Sequence, residues 1–562
     1  LSPFQLSVNQ SFTQNVKLLI GSNNQTVEVS ANAAELLQKS SSELGTVIQQ
    51  DVVQDMPLNG RNFTELLTLT PGATPVSTAQ GSGVSTQDAG MSGIPGSTLV
   101  KPSLHGQQNR STLYYLDGVT NTDLRGPVYG VLPMLDATSQ FKVQAHNEKV
   151  EYGGVVGGIV NMISRSGTNT MHGSAFWFLR NNFLDARDKF KDAFNPGPAP
   201  FHQNQFGGTL FFPIIRNKTF AALSYEGWRY SQPTQTFGYT PTQAEISGDF
   251  TNSINHIVNA STGKNYPLIF NPYSTVSIGG GNFSRTPFLC DAIGNPVVPN
   301  AANIQASGTP CDKIPQQMFD PILSKLMSTF LRLPNYNGAA QPGQSATNYE
   351  EDRPRTDNNN EFQVKIDHQL TTKDSLWVRF TNMYVRDVAP VVGTIETSPS
   401  DYHGYDWGAG YTRVITQHII YDAQAGILLK PYVFNTNQVA GGYQPITALG
   451  VADAAQWGGL YASLGAPYTS LGNVGTAGNS IRKNPTWSAS TSLSIIVGKH
   501  NSKIGLQFTN VQRVQQNTYQ QFSFSGSQTN FPYSKSTTTP YGTFNSTNDP
   551  GEILASALLG AP

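Results

Sequence analysis

Charge is scarce in this chain of 562 residues. Only 13% of residues are charged and the formal net charge is −1, which leaves no basic face of the kind that binds nucleic acid. Cysteine is scarcer still. Cys290 and Cys311 are the only two; they lack CxxC spacing and a surrounding His cluster, so no zinc site is expected. Long apolar runs are missing too. None reaches the roughly 20 residues that a spanning helix needs. If the chain enters a bilayer it must do so as strands, because only a closed barrel satisfies every backbone donor and acceptor in lipid. Familiar catalytic patterns are absent. The glycines at 153–158 are not followed by Gly-Lys-Ser/Thr, and there is no GxGxxG. His105, His146, His172 and His202 could meet only across the fold, and a lone His is more often a satisfied polar group than a ligand. Asp117 and Asp123 flank turns, where Asp caps backbone groups, and no acid–base role falls to them. No enzyme activity, metal or cofactor is expected.

What the chain does have is turn residues and aromatics: 53 Gly, 35 Pro, 23 Tyr and 29 Phe. From Gly173 onward it also has long two-residue alternation. Phe362, Val364, Ile366 and Leu370 are apolar, with Glu361, Gln363, Lys365, Asp367 and Gln369 between them. Thr371–Asp374 turns the chain, and Leu376, Val378 and Phe380 resume the apolar face. That is an antiparallel hairpin. A second one pairs Ala489, Leu493, Ile495 and Val497 with Ile504, Leu506 and Phe508 across a turn at 498–502. Further strands are expected at Gly173–Arg180, Gln205–Phe212, Thr219–Trp228, Gly408–Val414 and His418–Leu429. Alternation alone fits either a soluble sandwich, apolar face against another sheet, or a barrel with the apolar face in lipid and the polar face lining a lumen.

The glycine-laced stretch Glu151–Asn169 separates the two readings. It reads Glu-Tyr-Gly-Gly-Val-Val-Gly-Gly-Ile-Val-Asn-Met-Ile-Ser-Arg-Ser-Gly-Thr-Asn, and glycines in such a run let backbones approach closely. With Met56–Gly72, which contains Asn59-Gly60-Arg61-Asn62-Phe63, and Leu113-Tyr-Tyr-Leu-Asp-Gly-Val119, it resembles the plug of TonB-dependent outer-membrane transporters of the Oar-like branch. The three segments lie in family order and cover about the first third of the chain. The plug signature comprises Asn59, Gly60, Arg61, Asn62, Asp117, Gly118, Tyr152, Gly153, Gly154, Gly157 and Gly158.

The resemblance implies a mainly β fold: a small mixed α/β plug domain followed by antiparallel transmembrane β-barrel strands, about ten of them in an incomplete barrel. Residues 1–30 resemble the last strands of a carboxypeptidase-regulatory-like β-sandwich. A linker follows at 31–50, the plug at 51–165, and a partial barrel at 166–562. Both ends are expected to lack sequence, since no initiator Met, signal peptide or terminal aromatic is present. Asn62, with Glu65 three residues on, is expected to cap a short helix, and Pro133–Ser139 to form another. A long insertion at 231–356 is expected on the extracellular side, with a helix through Met318–Leu331 bounded by Pro315 and Pro334. It either binds ligand or packs on itself to shield the mouth.

The implied function is import of a scarce ligand, an iron chelate, saccharide or peptide, into the periplasm as the TonB energy-transducing complex displaces the plug. The implied location is the outer membrane, with lipid around the strands. A non-transporting receptor or adhesin and a secreted glycan-binding β protein remain alternatives. Cys290 and Cys311 read as a loop-closing disulfide in the oxidising compartment the family implies, or else as two free thiols. Trp177, Trp228, Trp377 and Tyr225 read as an interfacial girdle, or as ordinary packing. Of Arg61, Arg110, Arg125 and Arg165, the first and last are expected to anchor the plug to inner-wall carboxylates through charge-assisted bonds, or else to bond to their own domain's backbone.

Overall fold

A computed structural model describes residues 44–74, 103–186, 200–253, 269–299, 308–336, 347–434, 460–464, 480–530, 537–544 and 552–560, apart from short gaps within these ranges. The expected sandwich strands at 1–30, the linker at 31–43, Asn59, Gly60, Asn62, Arg110, Arg125 and Gly154 lie outside the described residues.

The front unit is a five-stranded mixed sheet. Its strands are β1 (Leu44–Gln49), β2 (Leu113–Leu116), β3 (Val119–Thr120), β4 (Thr138–His146) and β5 (Ile159–Ser164), in the order β1-β4-β5-β2-β3. β5 runs parallel to β2 and the other pairs are antiparallel. Asp117 and Gly118 turn β2 into β3, both with positive φ (50° and 79°), as a tight hairpin of the favoured hand requires. A 3-10 turn at Phe63–Leu69 covers one face, where Phe63 meets Tyr114, Tyr129 and Phe141 edge-on. The short helix expected at Pro133–Ser139 is a single 3-10 turn at Leu135–Ala137, after which the chain goes straight into β4. Of the signature glycines, Gly157 is a true close approach: a Cβ there would lie 1.9 Å from the Ser111 hydroxyl. Gly153 is not, for a Cβ there would meet nothing within 4 Å.

Beyond Arg165 the chain becomes a meander of nine antiparallel strands: β6 (His172–Asn181), β7 (His202–Ile215), β8 (Thr219–Pro233), β9 (Pro354–Gln369), β10 (Asp374–Pro390), β11 (Thr397–Thr416), β12 (Ile419–Leu429), β13 (Thr486–Val497) and β14 (His500–Val511). Three short strands, at 432–434, 480–483 and 514–517, complete a twelve-stranded sheet. They extend β12, β13 and β14 past breaks at Pro431, Pro485 and 512–513. Proline has no N–H to donate, so a ladder reaching it must step aside. Most strands exceed the expected lengths; β11 has 20 residues. Among the described residues the sheet is open, with β6 and β14 at its edges.

Connections alternate in length. Those at 216–218, 370–373, 417–418 and 498–499 are tight turns at one end of the sheet; those at 182–201, 234–353 and 391–396 lie at the other. The long insertion folds into a cap. Helix α1 (Pro321–Phe330) packs there with helix α2 (Ile553–Leu558), and the core includes Phe250, Phe288, Met327, Phe330, Leu554 and Leu558. Cys290 and Cys311 are joined by a disulfide. The expected helix from Pro315 to Pro334 is shorter than its apolar spacing suggests. Asp320 caps it by accepting from the Ile322 and Leu323 N–H groups at 3.0 and 2.8 Å, with Pro321 at the first position, the combination that favours a helix start.

The two faces of the meander differ sharply. One row across seven strands reads Leu210, Leu223, Val364, Phe380, Trp407, Ile427, Trp487 in direct register. It lies on the outer face, with Trp407 and Trp487 about half exposed (50% and 46%). The adjacent row reads Thr209, Ser224, Gln363, Thr381, Asp406, Leu428, Thr486, and every member is buried. Burying the polar row and exposing the apolar one inverts the arrangement of a water-soluble sheet. Trp177 and Tyr225 belong to the exposed face. Trp228 and Trp377 do not form a girdle: Trp228 is buried and clusters with Phe201 and Tyr230, while Trp377 shares the inner face with Arg379, near Lys365.

Candidate functional site: the seat between the front unit and the wall

The front unit lies against the inner face of the meander. One apolar core unites Phe63, Leu116, Tyr129 and Met162 of the front unit with Met383, Val385, Tyr402 and Leu428 of the wall. Small residues let the two approach. Val119 sits over Gly426, where a Cβ would lie 2.1 Å from its Cγ1 and 3.3 Å from its Cβ.

At the base of this contact is a buried ion network. The β2–β3 turn pushes Asp117 out of the front sheet toward β9 and β10. Its Oδ1 is 3.3 Å from Lys365 Nζ and its Oδ2 accepts from Arg379 Nη1 at 2.6 Å. Arg379 also donates to the Leu116 carbonyl at 2.9 Å and, through Nη2, to Asp406 at 3.0 Å. Lys365 donates to the Ser164 carbonyl at 3.2 Å. The Ser164 N–H and hydroxyl donate to Asp117 at 2.9 and 2.6 Å. Arg379 and Asp406 side chains are fully buried. Burial alone would raise the Asp117 carboxyl, but Lys365, Arg379 and the Ser164 bond outweigh it and hold the group below the ordinary carboxylate range.

Two further pairs cross the same interface. Lys430, at the proline break in β12, reaches Asp123 at 3.4 Å, both buried. Lys503 on β14 meets Glu151 at 2.5 Å near the surface. In these contacts the front unit supplies carboxylates and the wall supplies cations, opposite to the polarity expected from Arg61 and Arg165.

Arg61 is bonded first within its own unit, to Asp136 at 2.7 Å; the wall carboxylate Glu226 is 3.9 Å away. Its guanidinium also lies 4.3 Å over the Phe176 ring of β6. Arg165 donates to the Asp136 carbonyl at 3.3 Å and lies 4.2 Å over the Phe211 ring of β7. Its contact with the wall is therefore to a ring face rather than to a carboxylate. The remaining signature residues serve geometry: Gly118 and Gly158 have positive φ, and Tyr152 packs beside Tyr115.

Asp117, Asp123, Lys365, Arg379, Asp406 and Lys430 were not legible as a site. Lys365 and Arg379 did carry a signal, being cations on what reads as the polar face of two adjacent strands. No spacing in the sequence tied them to a turn 250 residues upstream. Among the described residues, no group of three or more His, Cys, Asp or Glu could hold a metal ion.

A family model described as an outer membrane beta barrel domain matches residues 163–562. The chain is 26% identical over 254 residues to the TonB-dependent transporter Oar of Myxococcus xanthus, which covers 42% of this chain and 21% of that protein. The chain thus spans about a fifth of the length of this curated relative. Among solved structures it is similar to the outer membrane transporter YddB from Escherichia coli, with 11% identity, a TM-score of 0.48, and coverage of 86% of this chain and 50% of that one. It is also similar to the unliganded ferric citrate transporter FecA (9%, TM-score 0.37, covering 84% and 57%) and to the siderophore receptor PiuA from Acinetobacter baumannii (12%, TM-score 0.34, covering 87% and 64%).

Proposed function

The chain belongs to the outer membrane β-barrel domain family, and from that premise we propose that residues 51–165 are a plug that TonB displaces to admit a scarce extracellular ligand to the periplasm. The outer membrane is its location, with the exposed apolar row of the meander in lipid. The observation that carries the reading is the Asp117 network. A permanently fixed domain gains most from apolar packing, and replacing a buried ion pair by hydrophobic residues is often neutral or stabilising. The ion pairs at the base of this seat, which adjoin a shared apolar core, are instead suited to parting and re-forming, because each charge is solvated once water enters. The wall left behind would present the polar row from Thr209 to Asp406, as a lumen needs, beside the apolar patch of Met383, Val385, Tyr402 and Leu428.

The test is accessibility of the inner wall in living cells. Thr381, buried on the inner face, is replaced by Cys in the full-length protein and probed with a membrane-impermeant maleimide. Energised cells with TonB should label it; uncoupled or TonB-deficient cells should not. Equal labelling in all three would overturn the reading.

A further inference from the structure

We propose that the tight-turn end of the meander carries a docking patch for an anionic phospholipid headgroup, built from Arg216, Lys218, Lys373 and Arg413 beside Ile214 and Ile415. This rests on the outer-membrane reading above and on short barrel turns facing the periplasm, and it names a lipid partner on that side.

The topology brings the four cations together. The turn at 216–218 joins β7 to β8, the turn at 370–373 joins β9 to β10, and β8 pairs with β9. The Gln369 N–H donates to the Lys218 carbonyl at 2.8 Å, and the Val414 N–H to the Lys373 carbonyl at 2.8 Å. Both turns and the end of β11 therefore abut. All four cations are exposed. Arg216, Lys218 and Lys373 have no ion pair among the described residues. Asp374, the carboxylate within the patch, accepts from the Tyr411 hydroxyl at 2.6 Å and lies 3.6 Å from Arg413.

Aliphatic side chains lie among these charges. Ile214 and Ile215 precede Arg216, Leu370 precedes Lys373, and Val414 and Ile415 follow Arg413; all five are 39–54% exposed. Scattered exposed aliphatics are ordinary on a water-facing surface. A collar of them interleaved with cations suits a membrane interface, where apolar groups meet acyl chains and charges reach the headgroups. Depth agrees with this. Tyr225 and Tyr405 share a register row on the lipid-facing side. Ile415 lies ten residues beyond Tyr405 along β11, about 33 Å of strand. At the roughly 40° tilt of a barrel strand that is about 25 Å of height, which matches the apolar band. The cations therefore stand at headgroup level. A phosphate diester gives its anionic oxygens to guanidinium and ammonium groups alike, while its acyl chains lie along the exposed aliphatics. A zwitterionic headgroup brings its own ammonium, which three unpaired cations repel.

The test uses the full chain in mixed detergent–lipid micelles, with retained lipids counted by native mass spectrometry. Phosphatidylglycerol should be retained at least tenfold better than phosphatidylethanolamine. Lys218→Gln and Lys373→Gln should each weaken phosphatidylglycerol retention about fivefold, the worth of one cation near a membrane surface, and leave phosphatidylethanolamine unaffected. Ile214→Ser should weaken retention of both lipids. Lys503→Gln removes a cation of the same end that Glu151 already pairs, and should change nothing. Inorganic phosphate in large excess should not displace the lipid, because it has no acyl chains. Equal retention of the two lipids, retention untouched by both lysine variants or lowered as much by Lys503→Gln, or displacement by inorganic phosphate would overturn the proposal. Micelles have no sides, so this readout is separate from orientation. Labelling of Lys373→Cys by a bulky, impermeant maleimide in intact cells would refute the periplasmic placement alone.

Discussion

Removing the Asp117 carboxylate should unseat the front unit while leaving the meander folded. Asp117→Ala strips Lys365 of its carboxylate, so that the Ser164 carbonyl remains to it at 3.2 Å. Arg379 keeps Asp406 at 3.0 Å and the Leu116 carbonyl. One buried cation is therefore left with no carboxylate in ion-pair contact among the described residues. Breaking a buried pair from one side costs about 3–5 kcal/mol, against about 0–1 kcal/mol for a surface pair. Adding Lys365→Met removes the orphaned charge and should recover about 2 kcal/mol, within the coupling range for residues in one network. The assay is urea titration of the detergent-held protein, following protease protection of residues 103–165 separately from that of the meander. An Asp117→Ala cost below about 1 kcal/mol, the level of an exposed pair, would refute the claim that this network seats the unit. So would a double variant whose cost equals the sum of the two single ones.

The same carboxylate sets a pH dependence. Its folded value lies below the ordinary 3.8, so its stabilisation is complete above that value and fades as pH falls through the depressed one. The stability gap between the parent and Asp117→Asn should be constant from pH 7 to about 5 and shrink only below about 4; a gap that closes between pH 6 and 5 would contradict this. Val364→Arg puts a charge in the exposed apolar row and should cost about 2–4 kcal/mol on folding into lipid vesicles, whereas a cost near zero would mean that row does not face lipid. Cys290→Ser opens the disulfide of the cap and should cost the cap about 3 kcal/mol for a loop of this length. Limited proteolysis should then cut within 236–353 while the strands stay resistant, and unchanged resistance of the cap would count against it.

Much of the architecture could be read from alternation. Phe362–Leu370 and Leu376–Phe380 identify their hairpin because a strand buried on one side must repeat every two residues. Which side is buried could not be read that way, since the period is the same for a sandwich and a barrel; the resemblance at Glu151–Asn169 separated them. The cap was seen only in part. Its helix shows in the spacing from Met318 to Leu331, but its partnership with Ile553–Leu558 depends on contacts more than 200 residues apart that leave no local pattern. The seat was missed for a related reason. Asp117 at a tight turn satisfies a local rule for Asp, and that explanation hid its second role. Arg61 reads as a plug anchor because a charge-assisted pair with a wall carboxylate would hold a displaceable unit reversibly, yet its nearest carboxylate, Asp136 at 2.7 Å, belongs to its own unit, and the wall's Glu226 is 3.9 Å away.

The central claim is that residues 103–165 sit inside the curve of the meander. Val119→Cys with Gly426→Cys tests it most directly, because the two Cβ positions lie 3.3 Å apart, a little inside the roughly 3.5–4.5 Å that separates the Cβ atoms of a disulfide. In outer membranes carrying the full-length protein, mild oxidation should join the two within one chain nearly to completion, shown by peptide mapping. Free thiols at both positions, or bonds formed only between separate chains, would contradict the account.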